Sequence, residues 1–182
     1  FITSYFKLKF TDKSHLWFVN QQGVWLSRDT AKTWEFNPML FGSIYSACDF
    51  AESLYVWFAV SDCQQRTMKF TTDGGNFWES VNKPYSNQSM DLLILGKDYN
   101  YKHVILVAGT EGTLFKFYEG SSLGLVETTF TQKALFSIAS FLSEDRLHVW
   151  VAGEGTTLLH STFLITDIKN FSVNKDFSYH LF

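Results

Sequence analysis

The chain has 182 residues, 46% hydrophobic and 18% charged, a balance that suits a folded domain and excludes a disordered segment. A formal charge of −3, with three arginines (Arg28, Arg66, Arg146) and no basic cluster, excludes the phosphate-neutralising face that nucleic acid requires and a polybasic membrane patch. No apolar run is long enough to span a bilayer, and no charged stretch followed by an apolar block reads as a signal peptide.

The chain opens at Phe1 without Met, from which we expect a processed or excised piece of a longer protein. Phe dominates the apolar set with 19 copies against two prolines, which favours pleated surfaces over helices. Four units follow one another, each read as four short strands. The first runs through SYFKLKF from Ser4, a turn TDKS, HLWFVNQQG from His15, GVWLS and TWEF. The second runs through SIYSACDF from Ser43, LYVWFAVSD from Leu54, TMKFT and FWESV. The third has MDLLILG from Met90, the long turn KDYNYK, HVILVAGTEG from His103, GTLFKF and LVETTF. The fourth has LFSIASF from Leu135, SEDR, HVWVAGEG from His148, TTLLHS and NFSV, after which FSYHLF (177–182) reads as the first strand of a fifth.

The units cover approximately 4–36, 43–81, 89–130 and 134–173, with the next opening at 177–182. A spacing of roughly 44 residues lies in the range of propeller blades. Strands with turns every 8–12 residues or so, and no long 3.6-residue period, exclude a helical layer. One four-stranded sheet cannot bury both faces alone and needs neighbours around an axis. The sequence therefore predicts an all-β fold, a β-propeller of four-stranded antiparallel blades with about four blades encoded. Open edges at both ends predict a partial propeller, completed by residues outside the chain or by another chain.

Between the third and fourth strands a phrase is written twice, SRDTAKTW at Ser27–Trp34 and TTDGGNFW at Thr71–Trp78. A carboxylate accepts backbone N–H bonds of a tight hairpin, glycine takes the left-handed backbone, the hydroxyl ties the loop, and tryptophan plugs the gap between strands. These residues resemble the Asp-box of the BNR-repeat propellers. Phe77 replaces the usual small hydroxyl residue and Ala31 the usual glycine, while units three and four have lost the pattern. Ser27, Asp29 and Trp34, with Thr71, Asp73, Gly75 and Trp78, are thus read as structural. Two isolated aspartates do not make the oxygen cluster calcium requires, so no metal and no cofactor is expected.

Among Asp-box families, resemblance to sialidases implies an arginine cluster gripping a carboxylate and a Tyr–Glu pair. The three arginines are scattered and none follows an Arg-Ile-Pro phrase, so no catalytic residue is assigned and the chain is read as a non-enzyme. VILVAGTEGTLF and VWVAGEGTTLLHST resemble repeats of photosystem II assembly factors, which are non-enzymatic propellers. QGVWLSRDTAKTWE resembles the blades of sortilin-type receptors, and their cysteine pair bracketing two strands of one blade resembles Cys48 and Cys63. The ectodomain propellers of sperm calcium channel accessory subunits are similar as well. The resemblance implies a non-catalytic interaction propeller in the extracellular or luminal part of a larger membrane receptor or channel-accessory subunit. The alternatives are an organellar or intracellular assembly-factor propeller and, third, a sialidase-like glycosidase. The expected partners are proteins, either the rest of its own propeller or neighbouring subunits of a membrane complex, with no nucleic acid and no membrane insertion.

Asn87-Gln-Ser89 and Asn170-Phe-Ser172 are N-glycosylation sequons, Asn87 in the polar connection KPYSNQS. Counting along an antiparallel pair that turns near Glu52 sets Cys48 opposite about Trp57 and Cys63 opposite about Gly42. A disulfide would need a bulge or bent loop, and two buried thiols are the alternative. His15, His103 and His148 open the second strand of three units and read as a repeated structural position rather than a metal set. Trp17, Trp57 and Trp150 read as core, and Glu111 and Glu154 as equivalent turn residues. Tyr99 and Tyr101 place two aromatics in the KDYNYK turn, a composition suited to an interface anchor.

Overall fold

The computed structural model describes residues 7–20, 23–37, 45–51, 55–60, 67–83, 89–97, 102–120, 125–127, 131–164 and 178–181. They form sixteen strands in four antiparallel sheets and no helix. Blade 1 is β1 (Lys7–Phe10), β2 (Leu16–Asn20), β3 (Gly23–Ser27) and β4 (Glu35–Asn37). Blade 2 is β5 (Tyr45–Ala51), β6 (Tyr55–Val60), β7 (Thr67–Thr71) and β8 (Glu79–Asn82). Blade 3 is β9 (Ser89–Lys97), β10 (His103–Gly109), β11 (Leu114–Tyr118) and β12 (Leu125–Glu127), and blade 4 is β13 (Leu135–Ser143), β14 (Arg146–Gly153), β15 (Thr157–Leu164) and β16 (Ser178–Leu181). In every sheet the spatial order is the chain order, the meander of a partial propeller.

The core lies between blades rather than inside any of them, because alternate residues of a strand point to opposite faces of its sheet. Trp17, Val19, Val24 and Leu26 of blade 1 close on Cys48, Phe50 and Trp78 of blade 2. Ala47, Met68 and Phe70 of blade 2 close on Leu92, Ile105, Val107, Phe115 and Phe117 of blade 3. Leu95, Val104, Leu106 and Leu114 of blade 3 close on Leu135, Leu147, Val149 and Val151 of blade 4. Each blade thus has a preceding side and a following side, and the sequence alternation serves both. Burying each of the larger side chains stabilises by roughly 1.5–3 kcal/mol.

The first strands of successive blades run side by side and are tied by carboxylates. Asp49 on β5 is buried; its Oδ2 accepts from the Ile94 amide on β9 at 2.9 Å, and its Oδ1 from Lys9 Nζ on β1 at 2.8 Å. Lys9 also donates to the Phe50 carbonyl at 2.9 Å, and Lys7 to the carbonyl of Cys48. Asp91 Oδ2 on β9 accepts from the Ile138 amide on β13 at 2.7 Å. An amide left unpaired by a bulged or twisted inner strand is satisfied in this way.

Two boundaries differ from expectation. Residues 178–181 are the fourth strand of blade 4, antiparallel to β15 with His160 opposite Ser178, and not the first strand of a fifth unit. The stretch NFSV, expected in that role, lies outside the described residues. Cys48 stands opposite Phe58 rather than Trp57, because the β5–β6 hairpin centres one half-step later than a turn at Glu52 would set it.

Candidate functional site

The two repeated phrases form matching turns at the ends of β3 and β7. In the first, Asp29 Oδ1 accepts from the amides of Lys32 (3.0 Å) and Thr33 (2.9 Å) and from Ser27 Oγ (2.9 Å). Its Oδ2 accepts from Thr33 Oγ1 at 2.7 Å, and the Ala31 amide donates to Ser27 Oγ at 2.9 Å. The hydroxyl and amide of Thr33 hold the Asp29 carboxyl down at about 2, because every donor favours the charged form. In the second turn Asp73 Oδ1 accepts from the Phe77 amide at 3.0 Å and from Thr71 Oγ1 at 2.8 Å, and the Gly75 amide donates to Thr71 Oγ1 at 2.9 Å. Its carboxyl is likewise lowered, chiefly by the Phe77 amide. Ser27 and Asp29, and Thr71 and Asp73, thus hold the two turns through these hydrogen bonds.

The departures from the motif have visible consequences. Thr30 and Ala31 adopt φ of 63° and 66°, the conformation that Gly74 and Gly75 hold at 76° and 90°. Gly75 is enclosed, since a Cβ there would come 2.8 Å from Asn37 Nδ2. Its carbonyl accepts from that amide and from Trp78 Nε1 at 3.1 Å. Trp78 is buried, whereas Trp34 is exposed and touches Phe18 edge-on at 6.4 Å. Phe77, standing where the first turn has Thr33, is 64% exposed at the turn's tip.

His15 precedes β2, His103 opens β10 and His148 is the third residue of β14; each has a local role, and the partners differ. His15 Nδ1 lies 2.7 Å from Asp12, whose carboxylate also takes the amides of Ser14 and His15 at 2.7 and 2.8 Å. Those amides hold Asp12 well below the usual carboxylate range. His103 stacks on Tyr55 of blade 2 at 3.7 Å and meets Glu119 at 2.9 Å. His148 Nδ1 lies 3.2 Å from His160 Nε2.

Several expectations change in register. Thr113 N donates to Thr110 O as Thr157 N donates to Glu154 O, so Glu154 corresponds to Thr110 and not to Glu111. Trp17 is core, whereas Trp150 is only partly buried, stacked on His160 at 3.9 Å. Cys48 is buried between blades 1 and 2. Cys63, Asn87, Tyr99, Tyr101 and Asn170 lie outside the described residues. Sequence reasoning missed Asp12, Asp49 and Asp91; the available signal was a lone aspartate inside a strand-like run (CDF, MDL) or in a TDKS turn.

Neither a family model nor the sequence of a curated protein matches the chain. Solved structures do match in fold. An ancestral GH74 enzyme superposes with a TM-score of 0.66 at 10% identity, over 96% of this chain and 25% of its own. The GH74 xyloglucanase from Xanthomonas campestris gives 0.61 at 12% identity, over 93% of this chain and 28% of its own. Kluyveromyces lactis Hsv2p gives 0.53 at 12% identity, over 96% and 54% respectively. The chain thus spans about a quarter of the length of the GH74 proteins, and enzymes stand among its fold neighbours beside the N-terminal domain of Nup159. At these identities the likeness shows the fold, a partial β-propeller of four-stranded blades.

Proposed function

We propose that this chain is a non-catalytic protein-interaction propeller of the Asp-box kind, in the extracellular or luminal part of a larger membrane receptor or channel-accessory subunit. The observation that carries the non-catalytic half is how the repeat's carboxylates are engaged. Asp29, Asp73, Asp49 and Asp91 each accept main-chain amides of the fold, so the charge written into the blades builds turns and joins strands. Aromatics are the groups turned outward, Phe77 at a turn tip among them. Exposed aromatics on rigid turns are the usual anchors of protein interfaces. The KDYNYK stretch carries two further aromatics in its sequence, Tyr99 and Tyr101. The compartment rests on the sequons at Asn87 and Asn170 and on the Cys48 and Cys63 pair.

The test is intact-mass analysis of the protein from its native source, non-reduced, before and after enzymatic deglycosylation. We expect a glycan at Asn87, with or without a Cys48–Cys63 bridge. A bare Asn87 with two free thiols would overturn the extracellular reading and move the chain to a reducing compartment, where an assembly-factor role replaces the receptor role.

A further inference from the structure

Leu147, Val149, Val151 and Leu159 close the joint between blade 4 and blade 3, so the alternate residues of β14 and β15 belong to the other face of the sheet. Hydrogen bonding between these two strands sets His148 opposite Thr162 and Trp150 opposite His160. His148 and His160 are therefore diagonal neighbours on that face, with Thr162 beside both.

Three polar atoms converge there. His148 Nδ1 and His160 Nε2 lie 3.2 Å apart, and Thr162 Oγ1 lies 3.4 Å from the first and 3.3 Å from the second. Hydrogen bonding accounts poorly for this triangle. An imidazole nitrogen offers one proton or one lone pair, so a bond between the two rings uses both nitrogens and leaves neither for the hydroxyl. All three edges also sit at or beyond the upper end of the usual range, about 2.7–3.2 Å. They match a different figure. Donors bound at about 2.0–2.1 Å around a tetrahedral zinc ion stand roughly 3.3–3.4 Å from one another.

The rings are also held in place. Phe141 stacks on His148 at 4.6 Å with planes 3° apart, and Trp150 stacks on His160 at 3.9 Å and 16°. The planes of the two imidazoles differ by 4°. Stacking across the strands thus fixes both ring planes before anything binds, which lowers the cost of ordering them.

We propose that His148 Nδ1, His160 Nε2 and Thr162 Oγ1 form a site for one divalent ion of the zinc kind, whose fourth position is taken by water or a further ligand. Neutral imidazole is the commonest protein ligand of such ions, and zinc, copper and nickel all favour it. The third donor is a hydroxyl, which is why no group of three His, Cys, Asp or Glu side chains marks the place among the described residues. All three donors stand on one hydrogen-bonded strand pair, so the site does not depend on what lies beyond blade 4. It is independent of the interaction role proposed above.

Isothermal titration with zinc chloride tests this, on the full 182-residue chain stripped of metal by a chelator and at a pH where imidazole is neutral. Two imidazoles and a hydroxyl are fewer and weaker donors than the four of a zinc finger. One ion is therefore expected per chain, with a dissociation constant of roughly 1–100 μM. His148→Gln and His160→Gln are each expected to weaken binding at least about tenfold, and Thr162→Val at least about threefold. His15→Gln, at a histidine paired with Asp12, is expected to leave it unchanged. If a variant fails to fold, the parent still decides. In ring-nitrogen NMR spectra zinc is expected to shift His148 Nδ1 and His160 Nε2 and to leave His15 and His103 unmoved. No binding up to roughly 1 mM zinc, binding that survives either histidine substitution, or shifts confined to other histidines would overturn the site and leave a hydrogen-bonded pair of histidines. A Thr162→Val chain that binds as the parent does would overturn the three-donor set.

Discussion

At residue scale the two acidic turns form a natural comparison. Both hold left-handed residues at the same place, but one uses Ala31 and the other Gly75. A Cβ in that conformation costs about 1–2 kcal/mol, against about 0.4–1 kcal/mol by which alanine restrains the unfolded chain. Ala31→Gly is therefore expected to stabilise the chain by roughly 0.5–1 kcal/mol, read as a higher midpoint in urea. Gly75→Ala is expected to cost more than the strain alone, because its new methyl would meet Asn37 Nδ2 at 2.8 Å. An Ala31→Gly midpoint at or below the parent's would refute the strain argument. These turns were legible in the sequence because hydroxyl, carboxylate and small residue act within eight positions of one another. The exposure of Trp34 was not legible, since it depends on what stands beyond the blade rather than on the turn.

Strands and sheets obey a different logic, in which pairing matters more than pattern. Period-two alternation located most of the sixteen strands, because each has a neighbouring blade on one or both sides to reward it. It read 178–181 as the opening of a new unit, and only hydrogen bonding to β15 shows that they close blade 4. It also hid the ties between first strands, which form between residues more than forty positions apart. Asp91 shows what such a tie contributes. Its side chain takes the Ile138 amide of the next blade at 2.7 Å, and its other oxygen takes the Leu92 amide at 2.8 Å. Removing a partner from a buried amide costs about 1–3 kcal/mol. Asp91→Ala is expected to lower stability by that amount, and Asp91→Asn by less, since a carboxamide oxygen still accepts. Equal losses for the two variants in chemical denaturation would show that charge, not amide satisfaction, is what the position supplies.

For the whole molecule, a propeller side is core or surface according to whether another blade faces it, so equal residues differ in worth by their place in the arc. Repeats made the four blades readable, since the same succession of four short strands at roughly equal spacing demands the same sheet. Trp78 and Trp34 turn this into a measurement. Trp78 fills the joint between blades 1 and 2 beside Trp17 and Phe50, so Trp78→Ala falls in the range of buried aromatic truncations, about 3–5 kcal/mol. Trp34 is exposed and held edge-on by Phe18, so Trp34→Ala is expected to cost about 1 kcal/mol. The gap, roughly 2–4 kcal/mol, corresponds to about 4–16 °C in melting temperature for a chain of this size. Two tryptophans that close corresponding turns and yet melted the chain equally would mean that the turn, and not the neighbouring blade, gives them their value. The unequal result is what a fold cored between its blades requires.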